Sequence, residues 1–173
     1  SGRPSGISGT CVACVMEGSR PILAEVQGLV TATGFGTPRR MSTGFDYNRM
    51  AMILAVLEKR AGYYFNNMDT YINVVGGLRL DEPSADLTVA MALVSSLKDM
   101  AVNEKVIAFG EIGLAGEIRA VSHCEQRVSE AYRLGFEKCI IPFHNYKGLS
   151  KELKVNADIV PVRTIRDAFR ALT

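Results

Sequence analysis

The sequence contains no tryptophan, only two histidines, four cysteines and no long apolar run. Each shortage excludes something. Without tryptophan, and with Tyr63-Tyr64-Phe65 placed where a core or an interface needs them, a base-stacking platform is not indicated. The apolar stretches fall far short of the ~18 residues a membrane span needs. No basic start leads into an apolar run, so a secretory signal is not expected either. Cys11-Val12-Ala13-Cys14 has the C-x-x-C spacing, but no second such pair exists, and His123 and His144 are the only histidines. Its surroundings read as a strand, where residues three apart point to opposite faces. Buried, reduced thiols are therefore the expectation for Cys11, Cys14, Cys124 and Cys139, with no metal site. Neither sign of charge dominates: 20 Lys plus Arg against 18 Asp plus Glu leave +2. A nucleic-acid binder with that balance must gather its cations on one face.

What is present is the makings of one globular domain: 173 residues, 47% hydrophobic and 22% charged. Residues 1–8 read as a linker or cloning remnant and 9–173 as the domain. Two strands over 9–16 and 21–32 flank a turn at Gly18. An exposed, breaker-rich loop is expected over 33–44. Asp46 suits the N-cap of a helix running to about Gly62, with Met50, Ile53, Leu54 and Leu57 on its buried face. A strand over 70–75 follows, broken or bulged at Gly76-Gly77, with 78–80 as a candidate extension. The next helix opens at Asp81-Glu82-Pro83-Ser84 and reaches about Lys98; it is apolar nearly all round, the mark of a central helix. Strands near 105–112 and 117–121 bracket a hairpin at 113–116. A third helix over 123–134 closes at Gly135. Lys138–Pro142 is a short buried strand, 144–154 a polar connection with one helical turn, and Asp158–Val162 a last strand. Thr164 caps a final helix through Leu172. The order predicts mixed α/β layers (α+β) and not a Rossmann sheet.

Chemistry is sparse. No Gly-Lys-Ser/Thr string follows a glycine loop, so this chain has no phosphate-cradling ATP motif. The most suggestive string is Asp81-Glu82-Pro83-Ser84-Ala85-Asp86, which puts a serine at the mouth of the central helix. There the free N–H groups could stabilise an oxyanion, although a plain helix cap is the favoured reading for Ser84. A nucleophilic serine also needs a base in reach.

That string, with Gly110-Glu111-Ile112, Gly116-Glu117-Ile118, Gly135-Phe136 and Ile140-Ile141-Pro142, resembles the Lon protease C-terminal domain over roughly 10–172. In that family a lysine on the following helix activates the serine. The matching position, 43 residues after Ser84, is Arg127. An arginine side chain stays protonated at ordinary pH and cannot take the serine proton. Glu82 and Asp86 stand where the family has glycines, and two carboxylates disfavour a developing oxyanion. His123, Glu125 and Lys98 are not at the spacing of a substitute base. The resemblance thus implies a catalytic pair that has lapsed at Ser84 and Arg127.

Thr37-Pro38-Arg39-Arg40, Asp46-Tyr47-Asn48-Arg49, 54–60 and 113–119 further resemble the Lon-like C-terminal domain of the bacterial RadA (Sms) family. This implies a fold like ribosomal protein S5 domain 2 and a homo-hexameric ring. It also implies contact with DNA during recombination and repair, a place in the bacterial cytoplasm near the nucleoid, and other recombination proteins as partners. ATP, magnesium and zinc are then expected only in N-terminal ATPase and zinc-finger domains outside this chain, with no cofactor here. Two alternatives stay open: a Lon-type serine peptidase with an unusual base, and a purely structural oligomerisation domain.

For DNA the candidate cations are Arg39, Arg40, Arg49, Lys59, Arg60, Lys98 and Arg119. Arg49 and Arg60 are 11 residues apart, ~three helical turns, and share a face. Arg39 and Arg40 enter that helix and could extend the patch. Arg163, Arg166 and Arg170 read as one solvated or subunit-facing side of the last helix.

Overall fold

A computed structural model describes residues 6–172 of the chain. Residues 1–5 of the expected linker lie outside the described residues. Just beyond them, the Ser8 hydroxyl donates to Asp99 (3.3 Å) and the Gly9 N–H to Ser95 (2.8 Å).

The core sheet starts as a long hairpin, β1 (Thr10–Glu17) with β2 (Arg20–Ala32), paired antiparallel from Thr10↔Gln27 to Glu17↔Arg20. β3 (Arg40–Thr43) leads into helix α1 (Tyr47–Ala61), then β4 (Met68–Val74). A tight turn at Pro83–Ala85 enters helix α2 (Asp86–Lys98). β5 (Val106–Ala108), β6 (Glu111–Ile112), β7 (Ile118–Arg119) and α3 (Cys124–Arg133) follow. The chain finishes with β8 (Lys138–Pro142), α4 (Phe143–Tyr146), α5 (Lys151–Asn156), β9 (Asp158–Val162) and α6 (Ile165–Arg170). Seven strands form one mixed sheet in the order β3-β4-β2-β1-β5-β8-β9, and β6 with β7 makes a separate small hairpin.

Alternation along the strands builds a core on each face. Cys11, Ala13 and Val15 of β1 pack with Ala24, Val26 and Ile72 beneath α1, α2 and α6. Val12 and Cys14 point the other way, joining Ile107, Cys139 and Ile141 beneath α3 and α5. The two cysteines of the C-x-x-C therefore lie in different cores.

α2 is buried from Asp86 through Ser96, as a helix apolar on all sides requires. It sits so close to β2 that a side chain on Gly28 would meet the Ala92 carbonyl carbon at 3.1 Å. α1 starts where Asp46 accepts the Arg49 N–H (2.9 Å), and Gly62, at φ 74°, ends it. Thr164 and Asp167 form a reciprocal capping box on α6.

Several expectations need correction. The 33–44 loop contains β3, which pairs in parallel with β4. The Arg40 guanidinium pins it there by donating to the Phe65 (2.8 Å) and Met68 carbonyls, while Asp69 accepts the Arg39 N–H (2.8 Å). The strand over 105–112 is two strands. At Gly110 the chain leaves the sheet, its N–H bonding the Ser84 carbonyl (2.7 Å) and its carbonyl accepting from Leu87 (3.0 Å). The extension at 78–80 reduces to one bridge between Phe45 and Leu80. The polar connection holds two short helices, α4 and α5. No helix among the described residues is long and apolar enough to cross a membrane.

Candidate functional site

The turn Pro83–Ala85 carries Ser84 to the entrance of α2, walled by β1, the β6–β7 hairpin and α3. Ser84 and Arg127, which the family resemblance aligns as the lapsed pair, do meet: an Arg127 Nη1–H donates to the Ser84 hydroxyl oxygen at 3.1 Å. The Ser84 hydroxyl in turn donates to Glu82. Its side chain does not cap α2, contrary to the expectation. Pro83 starts a tight turn before the helix, so Ser84 sits inside that turn and its hydroxyl is aimed at α3.

Arg127 is 1% exposed, an unusual state for a guanidinium. Its donors are widely engaged. They reach the Cys14 carbonyl (2.7 Å), the Ser122 carbonyl (2.8 Å) and the Glu82 carboxylate, and the group lies 5.9 Å from the Phe109 ring centre. Burial works to raise the Glu82 carboxyl. Hydrogen bonds from Ser84 and Arg127, the Arg127 charge and the Met16 N–H outweigh it, so Glu82 titrates below the usual carboxylate range. A cavity of about 150 Å³ opens beside the cluster, lined by Glu82, Ser84, Glu111, Ser122 and Arg127 among others.

The second carboxylate faces elsewhere. Asp86, fully buried, takes a bidentate grip from Arg49 (Nε–Oδ1 2.8 Å) and accepts the Ile112 N–H (3.1 Å). Burial pushes its carboxyl up, against the pull of Arg49. This pair ties α1, α2 and the β6–β7 hairpin together. Of the imagined substitute bases, Glu125 accepts the Ser150 N–H (2.8 Å) and Lys98 lies at the far end of α2, over the Tyr63 ring. His123 is exposed ahead of α3. Among the described residues, the Ser84 hydroxyl meets only Glu82 and Arg127.

The seven basic candidates do not form one patch. Arg40 and Arg49 are committed to internal partners, as above. Arg119 pairs with Glu117 (3.1 Å). Arg39 and Lys59 are exposed. Arg60 reaches the hairpin, its Nε–H donating to the Leu114 carbonyl (3.3 Å). The last three arginines separate as well: Arg163 precedes α6 and stacks on Phe143 (3.6 Å), while Arg166 and Arg170 ride the helix. Sequence reasoning missed Glu82 and Asp86 as ion-pair partners. Each is an acid at an otherwise apolar helix entrance, a signal that something basic must answer it.

Comparison with known proteins gives the family. The family model of the Lon protease C-terminal proteolytic domain matches residues 48–172. The chain is 47% identical over 167 residues to DNA repair protein RadA of Halalkalibacterium halodurans, covering 96% of this chain and 36% of that one. It is 45% identical over 168 residues to the Bacillus subtilis RadA (97% and 36%) and 46% identical over 168 residues to that of Streptococcus pneumoniae (97% and 40%). It thus spans little more than a third of the length of the first two. The chain belongs to the Lon protease C-terminal domain family, on the side of that family that resembles the bacterial DNA repair protein RadA.

Proposed function

We propose that this domain is a non-proteolytic Lon-type module that assembles as a ring and contacts DNA for a repair and recombination ATPase. The observation that carries the loss of proteolysis is the state of Ser84. Its hydroxyl lies between a guanidinium that cannot accept a proton and a carboxylate whose basicity that guanidinium lowers. A general base works best with a pKa near the operating pH, and Glu82 is moved away from it. DNA repair as the setting rests on relatives that match nearly the whole chain. Nucleotide, magnesium and zinc sites, on this reading, belong to the part of the relatives that the chain does not span. The working location is the cytoplasm, at the nucleoid, with recombination proteins as further partners.

A fluorophosphonate probe tests the first half: no labelling of Ser84 is expected, and stoichiometric labelling that Ser84→Ala abolishes would overturn it. Light scattering on gel-filtered protein tests the second, with a mass of six chains expected and a monomer at all concentrations counting against the ring. The peptidase reading keeps one supporting observation, the cavity beside Ser84. It predicts that Arg127→Lys gains probe reactivity.

A further inference from the structure

The loop between β2 and β3 carries Phe35 at its tip, 100% exposed, between Gly34 and Gly36. Both feet of that loop are tied to one carboxylate. Asp69 accepts the Thr33 hydroxyl (3.0 Å) and the Arg39 N–H (2.8 Å), while the Thr33 N–H reaches the Asn67 carbonyl (2.9 Å). Gly36, at φ 79°, makes a turn that a side chain would strain, and Pro38 stiffens the return. An aromatic ring is thus held out in water on a fixed base. Elsewhere, between β1, β2 and the end of α3, lies a groove of about 400 Å³. Leu23, Val75, Leu134 and Phe136 give it apolar walls, and Glu25 and Glu104 outnumber Lys105 among its charges. Leu134 is 48% exposed, so part of that apolar wall stands open.

We propose that Phe35 of one copy of this chain seats in the groove of a second copy, as a head-to-tail contact. The proposal rests on the ring reading above and names a contact that builds the ring. Reach excludes the alternative that the ring fills its own groove. Ala24 in the groove and Ala32 at the end of β2 are eight residues apart on one strand, roughly 26 Å at ~3.3 Å per residue. Phe35 lies three residues further on, a span of at most ~11 Å. It falls well short, so a groove receives this side chain only from another molecule.

Charge matches the two surfaces. Arg39 and Arg40, the latter bonded to neutral carbonyls, stand at the loop against the single carboxylate of Asp69. The knob is therefore net basic, and the groove has more acid than base among its lining side chains. Two knobs or two grooves brought together repel, whereas a knob and a groove attract. The knob also comes prepositioned: an aromatic ring on a tied loop loses little freedom when it is buried, which suits an interface anchor. Because the contact joins unlike faces, it repeats from copy to copy and closes where the rotation allows.

Two readouts on the intact chain test it. By light scattering, Phe35→Glu should raise the concentration needed for assembly by about tenfold or more relative to wild type. The substitution sits on an exposed loop and leaves both cores untouched. Val155→Glu, at another exposed apolar side chain on α5, should stay within about twofold. Oxidative trapping reads the polarity of the contact. A mixture of Phe35→Cys and Leu134→Cys chains should form a disulfide-linked dimer that neither variant forms alone, the native thiols being buried. Assembly unchanged by Phe35→Glu, an equal loss with Val155→Glu, or a mixture that cross-links no better than each variant alone overturns this contact and leaves the ring standing. A wild-type chain that stays monomeric at all concentrations overturns both.

Discussion

Arg127 brings a full charge into the interior and is matched there by Glu82, the Cys14 carbonyl and Ser122. Removing one member of such a pair strands the other, a change worth about 3–5 kcal/mol. Arg127→Ala should therefore lower the urea midpoint sharply, and Arg127→Ala with Glu82→Gln should recover part of the loss. Glu82 also predicts a pH dependence. Its folded-state titration lies below the unfolded value, so the unfolded chain binds more protons as the solution is acidified. Its stabilisation is present above the unfolded carboxylate value and is lost as pH falls through the folded one. Glu82→Gln should accordingly show a shallower loss of stability between neutral and acid pH, read from unfolding curves of both proteins. The serine–arginine pairing was legible through the resemblance to the Lon family, which sets position 127 opposite Ser84. The Glu82 bond was not, because its partner arrives from a helix 45 residues further on.

At the scale of elements, local signals did well where they were self-contained. Asp46 and Gly62 bound α1 as expected, because a cap needs only its own backbone neighbours. α2 shows the opposite case. Its burial followed from composition, but its height above the sheet depends on Gly28, 64 residues away from the Ala92 backbone it admits. Gly28→Ala should displace α2 or strain β2, costing about 1–3 kcal/mol in chemical denaturation. β3 was hidden for a similar reason. Four residues among turn formers become a strand only once Arg40 reaches the carbonyls of Phe65 and Met68. The same applies at Gly110, where the chain turns aside to serve the entrance of α2.

Over the whole molecule the sheet separates two cores, and the four thiols are buried within them. Burial pushes Cys14, Cys124 and Cys139 up to about 12, leaving little thiolate at neutral pH. Alkylation by iodoacetamide should thus track global unfolding, with all four thiols protected in native protein and reactive in denaturant. Rapid labelling of native Cys14 or Cys124 would show that the α3 face opens by itself. The other end of that face is bare: Leu29 and Met41, both aligned with Tyr71, are more than half exposed where no helix covers β3, β4 and β2.

The sequence by itself determined the hairpin, the helices α1, α3 and α6 with the caps at Asp46 and Thr164, the central burial of α2, the mixed α/β class and the family. All of these depend on neighbours within a few turns of chain or on motif order. Tertiary structure decided which charges are spent and which are available. Arg40 and Arg49 read as surface cations in the linear sequence, yet each is held by carbonyls or a carboxylate from a distant segment, as is Arg127 at the lapsed catalytic position. Arg166 of α6 finds the Arg60 carbonyl of α1, and Lys98 of α2 the Tyr63 ring, only in the fold. Periodicity and capping are local, whereas a charge finds its partner through space, and only the packed chain says which partners are near.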